Sequence, residues 1–169
     1  LNGSGTVAIT ALHSTAAADL SNITASSVTA AVDDDVTFTG TIGNAVVTVA
    51  SGKTFTSTAA KVNGETLNGA GTVAITALDA TAAADLSNIT ATAVTAAVAA
   101  DVTFTGTIGK AVVTVASGKT FTSTAAKVNG ETINGNGSVA VTALHSTAAA
   151  DLSNIIASGG RTATFGGDV

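Results

Sequence analysis

The segment ALHSTAAAD contains the three residue types of a catalytic triad, with His13 and Ser14 adjacent and Asp19 a short distance further on. A nucleophilic serine also needs a strained turn that exposes its hydroxyl, and N–H groups that stabilise an oxyanion. The sequence around this segment has neither signal, and the second copy of the segment has Asp79 and Ala80 in place of the histidine and serine. We therefore predict no catalytic residue here, and we expect that the chain is not an enzyme.

Three consecutive aspartates at residues 33–35, and the matching positions His13, Asp79 and His145, are the candidate metal ligands. Neighbouring residues of a strand point to opposite faces, so the three carboxylates do not converge on one ion. Calcium-binding repeat rods use Gly-Gly-x-Gly-x-Asp turns, and the only similar run is the Gly-Gly-Asp of residues 166–168. We predict no metal ligand and no cofactor, and interpret these side chains as solvated turn charges.

Two asparagines, Asn22 and Asn88, lie in Asn-Ile-Thr patterns that match the N-glycosylation signal. The third copy loses the pattern because Ile156 replaces the threonine. Such matches arise easily in a chain rich in serine and threonine. The alternatives are therefore a sugar on an exposed corner and an asparagine that caps a turn.

The strongest signal is a long internal repeat. Residues 1–66 and 67–132 are identical at 58 positions and differ at eight, and a partial third copy with a divergent tail occupies residues 133–169. Self-similarity over such a period is typical of arrays in which each unit buries its apolar face against the next. We expect one continuous array made of these three parts, and a fragment of a longer chain.

Composition excludes several classes of protein. The chain has no Pro, Cys, Met, Trp or Tyr, and its 46% hydrophobic residues with a net charge of −5 place it outside the disordered class. Six basic against eleven acidic residues make nucleic acid a poor partner. A polysaccharide-cleaving site would need aromatic or basic platforms, and the sequence has no Trp or Tyr and a single arginine. The longest apolar runs are too short to span a bilayer.

Strand signals dominate each repeat. Residues 7–10, 36–41, 45–50 and 54–58 are rich in β-branched side chains and are separated by short glycine turns. In the run at residues 36–41, the period of two places valine and phenylalanine on one face and threonine on the other. Residues 14–32 begin with alanines that would suit a helical turn, but the Ser-Asn-Ile-Thr that follows favours a turn and then a strand. A helix across this piece is the alternative.

Two all-β architectures fit strands of this length and spacing. In a parallel β-solenoid, also called a β-helix, each strand is one side of a coil, and Phe38 stacks on Phe55 with Thr37 opposite Thr54 and Thr39 opposite Thr56. In an array of small antiparallel domains, the turns at residues 42–44 and 51–53 join hairpins. Independent sandwich domains usually need a bulky core. Two phenylalanines per repeat supply little of that, so we predict the solenoid.

The strings AADLSNITA, VTFTGTIG and AVVTVASGKTFT, with the lead-in LNGxGTVAIT, resemble repeats of very large bacterial surface and secreted proteins. These are the adhesin-like, or haemagglutinin-like, β-solenoid proteins. The resemblance covers residues 1–155, and the tail at residues 157–169 departs from it. It implies an extracellular or cell-surface, rod-like structural role, and it brings no catalytic residues with it.

The sequence therefore predicts a non-enzymatic structural repeat segment of a bacterial extracellular adhesin stalk or filament. The expected partners are other copies, joined end to end or within a longer repeat protein, and a host or abiotic surface. We expect no nucleic acid and no membrane span. The alternative is a binding module, because threonine at every second position of a flat face resembles the ice-binding faces of antifreeze solenoids and also suits a glycan.

Overall fold

The computed structural model describes residues 1–147 and 149–166. The fold is mostly β, with 44% strand and 10% helix, and its sheets are parallel. This confirms the all-β class. Within the described residues, the paired strands form three sheets.

The first sheet contains β1 (Asn2–Ile9), β2 (Thr24–Val32), β4 (Ala45–Val49) and β6 (Leu67–Gly69), in that spatial order. The second runs through β12 (Ile133–Gly135), β10 (Val112–Val115), β8 (Ala93–Val98), β7 (Thr72–Thr76), β5 (Thr54–Thr58) and β3 (Val36–Thr37). The third contains β14 (Arg161–Ala163), β13 (Ser138–Thr142), β11 (Thr120–Thr124) and β9 (Val102–Phe104). Two short helices, α1 (Ala59–Val62) and α2 (Ala125–Val128), and 3-10 turns at Leu12–Ser14, Leu78–Ala80 and Leu144–Ser146 complete the described elements.

Within each sheet, a residue pairs in parallel with a residue further along the chain. We call the stretch of chain between two such partners a pass. One of the shorter passes runs from Val28 to Ala45. A longer one runs from Asp85 to Thr107, which form an isolated bridge. Parallel partners need such crossover connections, because a two-residue hairpin can join only antiparallel strands.

Alternating side chains form the core. In β5, Phe55 and Ser57 are buried between partly exposed threonines. Phe55 packs against Phe38 of the pass before it, with ring centroids 5.4 Å apart and planes tilted by 33°. The buried hydroxyl of Ser57 donates to the Phe38 carbonyl at 2.7 Å, so the polar group inside the core is satisfied.

The register between β3 and β5 differs from the one expected. Val36, not Phe38, lies opposite Phe55, and Thr37 lies opposite Thr56. The Asp35 side chain accepts a hydrogen bond from the N–H of Thr54 at 2.7 Å, which aligns the two strands at this offset. A displacement of two positions leaves every side chain on its predicted face, because the period of a strand is two. The phenylalanines therefore still meet.

Strand β3 is also shorter than the predicted strand at residues 36–41. The strand ends at Thr37, and the N–H groups of Thr39 and Thr41 donate to the carbonyls of Ala16 and Ala18 at 2.8 and 2.9 Å. Residues 14–32 follow the turn-and-strand prediction, since they end in the long strand β2. The helices α1 and α2 were not expected from the sequence.

The turns predicted as hairpins in the antiparallel alternative are corners. The turn at residues 51–53 joins β4 of the first sheet to β5 of the second, so the strands on either side do not pair. Gly52 takes φ +74°, a left-handed conformation that glycine adopts without a Cβ penalty. The antiparallel arrangement is therefore not the one found in the described part of the chain.

Nearly the same sequence takes two conformations at the start of successive repeats. Residues 2–9 form the single strand β1, whereas their copies form β6 and β7 with a corner between them. At that corner the N–H of Gly71 donates to the Val49 carbonyl at 3.1 Å, in the pass before. In the described structure, a Cβ on Gly5 would meet nothing within 4 Å. The neighbouring pass, and not the local sequence alone, produces the corner.

Candidate functional site

The side chains of the triad-like segment bond separately. The Ser14 hydroxyl donates to the Ala11 carbonyl at 2.8 Å. The Asp19 carboxylate accepts from the N–H of Ser21 at 3.0 Å. Nδ1 of His13 accepts from the N–H of Asp33 at 3.3 Å, so the histidine orients the next pass rather than the serine.

The matching positions of the three copies share this structural role. Asp79 accepts a hydrogen bond from the N–H of Ala99 at 2.7 Å. Nδ1 of His145 accepts from the N–H of Gly166 at 3.1 Å. Histidine and aspartate alternate here because each presents an acceptor to a backbone N–H of the following pass. Sequence reasoning found the row but missed this function.

The three aspartates at residues 33–35 take different partners. Asp34 pairs with the Lys53 ammonium at 2.9 Å, while Asp35 accepts from the backbone of Thr54. The hydrogen bond from Lys53 holds the pKa of Asp34 below its usual range, and the same bond raises the pKa of Lys53. Among the residues that the structure describes, no group of three or more His, Cys, Asp or Glu side chains is arranged to hold a metal. Gly167 and Asp168 of the tail lie outside those residues.

Asp35 is the aspartate whose role the second copy retains. Its counterpart Asp101 accepts from the N–H of Thr120 at 2.8 Å, as Asp35 does from Thr54. The counterparts of the other two aspartates are Ala99 and Ala100. The second copy keeps only the carboxylate that sets the register between neighbouring strands, which supports a structural role for this segment.

A row of polar residues recurs at equal spacing, three times in each repeat, and forms what we call the polar edge: Asp19, Thr41, Asn63, Asp85, Thr107, Asn129 and Asp151. Parallel bridges join Asp19 to Thr41 and Asp85 to Thr107. The Asn63 side chain accepts from the N–H of Asp85 at 2.7 Å, and Asn129 does the same for Asp151. The spacing is one third of the repeat. This shorter period is present in the sequence, but the long repeat alone does not reveal it.

The aspartates of the polar edge also shape their own turns. Hydrogen bonds from the Ser21 side chain and backbone lower the pKa of Asp19. The backbone and then the side chain of Ser87 do the same for the pKa of Asp85. Partly buried Glu65 behaves oppositely, because desolvation raises its pKa. The hydrogen bonds to Asp19 and Asp85 stabilise their turns, whereas burial disfavours the ionised form of Glu65.

The outward threonine rows do not combine into one face. Thr54, Thr56 and Thr58 lie on β5 in the second sheet, but their copies on β11 lie in the third sheet. On the neighbouring strand β7, Ala74 lies opposite Thr56 and interrupts the row. A shift of one repeat therefore moves identical threonines to a different sheet.

The two asparagines of the glycosylation patterns lie on exposed turns. Nδ2 of Asn88 is 3.5 Å from the Gly64 carbonyl of the pass before it, at the long limit of a hydrogen bond. The structure thus fits both alternatives left open by the sequence, a turn contact and an accessible side chain.

A cavity of about 340 Å³ opens between β13 and β14. It is lined by Val139, Val141, Leu152 and Ile155 and by the three residues of β14. Val139, Val141 and Ile155 belong to the buried core, whereas the residues of β14 are exposed, so the cavity opens from the core beside β14.

Comparisons with protein-family models, with the curated proteins and with the solved structures each gave no match to this sequence. Across residues 1–147 and 149–166, no helix is long and apolar enough to cross a membrane. The resemblance to adhesin-like repeats therefore stays a prediction.

Proposed function

We propose that the chain is a parallel β-solenoid segment that serves as a non-enzymatic structural spacer in a bacterial extracellular or cell-surface stalk or filament. The observation that carries the proposal is the parallel pairing of successive passes in all three sheets of the described residues. Val36 pairs with Phe55, Phe55 with Val73 and Val73 with Val94, so the pairing crosses from the first repeat into the second without a break.

The apolar core supports the same reading. Buried residues from Leu12 to Ala157 belong to a cluster that includes members of all three copies. Independent domains would each enclose a core of their own, whereas a spacer gains from a core that every added repeat extends. The pair Phe104 and Phe121, 5.5 Å apart, repeats the packing of Phe38 on Phe55 one repeat later.

The expected mechanism is mechanical. Each strand inside the stack bonds to a strand on either side, and parallel strands lie about 4.8 Å apart. The second sheet connects Thr37 to Val112 in four passes, so a repeat of 66 residues takes between three and four passes. A repeat therefore adds about 14 to 19 Å of length. The absence of Pro suits continuous ladders, because proline would remove a hydrogen-bond donor.

The partner we propose for such a segment is another copy of the same repeat. Strand β1 is the edge of the first sheet, and its outer N–H and C=O groups are free to pair with another strand. A preceding pass of a longer repeat protein, or a second copy, would add there. The threonine alternative has less support, because the threonine rows of successive repeats lie in different sheets.

Small-angle X-ray scattering on the chain, and on a version lengthened by a second copy of residues 67–132, tests the spacer. We expect the maximum dimension to grow by about 14 to 19 Å. Separate globular units of this size would be about 25 to 30 Å across, so growth of that amount would overturn the proposal. Antibodies against the chain test its location: surface labelling of intact source cells is expected, and labelling only after lysis would contradict it.

A further inference from the structure

Strand β14 pairs out of step with the repeat. In the second copy Val73 lies opposite Val94. The residue equivalent to Val94 in the third copy is Gly160, yet Val139, the counterpart of Val73, pairs with Arg161. The pairing has therefore slipped by one position.

A slip of one position exchanges the two faces of a strand. With the register of the earlier repeats, β14 would present Gly160 and Thr162 to the core. With the observed register Arg161 and Ala163 lie opposite buried Val139 and Val141, and all three residues of β14 are exposed in the described structure. The slip exchanges a threonine for an alanine over the core, but it also places a guanidinium there.

The guanidinium has one hydrogen bond at this position. Nη1 of Arg161 donates to the Ile155 carbonyl at 2.8 Å, and the side chain lies at the edge of the 340 Å³ cavity. In the preceding repeat, Val94 and Ala96 cover the corresponding part of the core and are buried. The edge of β14 therefore presents a cation and a partly filled core where the repeat presents aliphatic side chains.

We propose that Arg161 makes the edge of β14 reject a second copy of this chain, so that two copies associate through their β1 edges. A strand that stacked on β14 would bury the guanidinium over apolar residues without a carboxylate partner. Burying an unpaired charge is costly, and inward-pointing charges are a known means of protecting sheet edges. The inference rests on the self-association in the proposed function.

The β1 edge differs from the β14 edge in its charge. Residues 2–9 contain no charged side chain, and Val7 and Ile9 of this strand pack against the core. A strand that added beneath β1 would cover aliphatic groups, as β4 and β5 do beneath the later copies of the same sequence. The two edges of the described stack are thus chemically unequal.

Sedimentation equilibrium of Arg161→Val tests the proposal, with Thr162→Val as the matched control on the outward face of the same strand. We expect Arg161→Val to self-associate at least about tenfold more tightly than the wild type, since a strand stacked on β14 would then no longer bury a guanidinium, a cost worth one or more factors of ten. Thr162→Val should match the wild type. Equal association of Arg161→Val and the wild type, with both chains folded by circular dichroism, would overturn the proposal.

A second measurement does not depend on the folding of the arginine variant. The chain has no cysteine, so a single cysteine that replaces outward-facing Ala8 or Thr162 can carry a spin label. At high concentration we expect dipolar coupling between copies labelled at position 8 and none between copies labelled at position 162. Coupling at position 162 would refute the blocked edge. The scattering test of the spacer is independent, because it measures the length of one chain.

Discussion

The replacement of Gly71 by alanine tests whether one pass packs against the next, and the chain supplies its own control. Gly71 and Gly5 occupy the same position in successive repeats. A Cβ on Gly71 would lie 2.3 Å from the Ala50 carbonyl oxygen and 2.6 Å from that of Lys53, where ordinary contacts begin near 3.4 Å. A Cβ on Gly5 would meet nothing within 4 Å.

The expected cost follows from these distances. Both obstacles are backbone atoms, so the neighbouring corner must move by about 1 Å, and overpacking of this kind costs about 1 to 3 kcal/mol. Alanine also restricts the unfolded chain, which returns about 0.4 to 1 kcal/mol. Gly71→Ala should therefore lose about 1 to 2 kcal/mol, or roughly 2 to 8 °C in Tm. Gly5→Ala should be neutral or up to about 1 kcal/mol more stable.

Urea denaturation and thermal unfolding of both variants, followed by circular dichroism, measure the difference. Gly137→Ala repeats the test one copy later, because its Cβ would lie 2.4 Å from the Ala116 oxygen. Equal effects of the substitutions at Gly71 and Gly5, or no loss at Gly71, would refute the packing of one pass on the next.

Three further predictions concern the core, the register and the carboxylates. Phe55→Ala should cost about 3 to 5 kcal/mol in urea denaturation, whereas Thr56→Ala should stay within about 0.5 kcal/mol, and similar losses would contradict the assigned faces. Asp35→Ala removes the acceptor of the Thr54 N–H and should cost about 1 kcal/mol and speed hydrogen exchange at that amide; an unchanged exchange rate would disprove its role. Burial raises the pKa of Glu65 in the folded chain. The stability that this group contributes is therefore fully present below its pKa in the unfolded chain, and it is lost as the pH rises through its pKa in the folded chain. Glu65→Gln should therefore raise Tm at pH 7 but not below about pH 4, and an equal gain at both pH values would contradict this.

Much of the fold was predictable because the repeat and the strand period are local signals. Alternation alone assigned the inward phenylalanines and the outward threonines correctly, and composition favoured parallel passes over hairpins. The offset between passes was not predictable in the same way. The stacking of Phe38 on Phe55 is compatible with two registers, and a carboxylate at Asp35 selects one through a single hydrogen bond.

The corners show where sequence reasoning fails. Residues 2–9 and their copies are almost identical, yet one forms a strand and the other a strand, a corner and a strand. The difference comes from the adjacent pass, which no local window contains. The acceptor role of His13 and the inward position of Arg161 were missed for the same reason, since each depends on a residue about one pass away.

Spin-label distances between Thr37 and Val112 test the parallel stack most directly. These residues belong to different repeats, and the second sheet connects them through Thr56, Ala74 and Thr95. With each carrying a label in place of the native side chain, the stack predicts a narrow distribution near 19 Å, four strand spacings of about 4.8 Å. A broad distribution centred beyond about 28 Å, the diameter of a separate unit of this size, would contradict it.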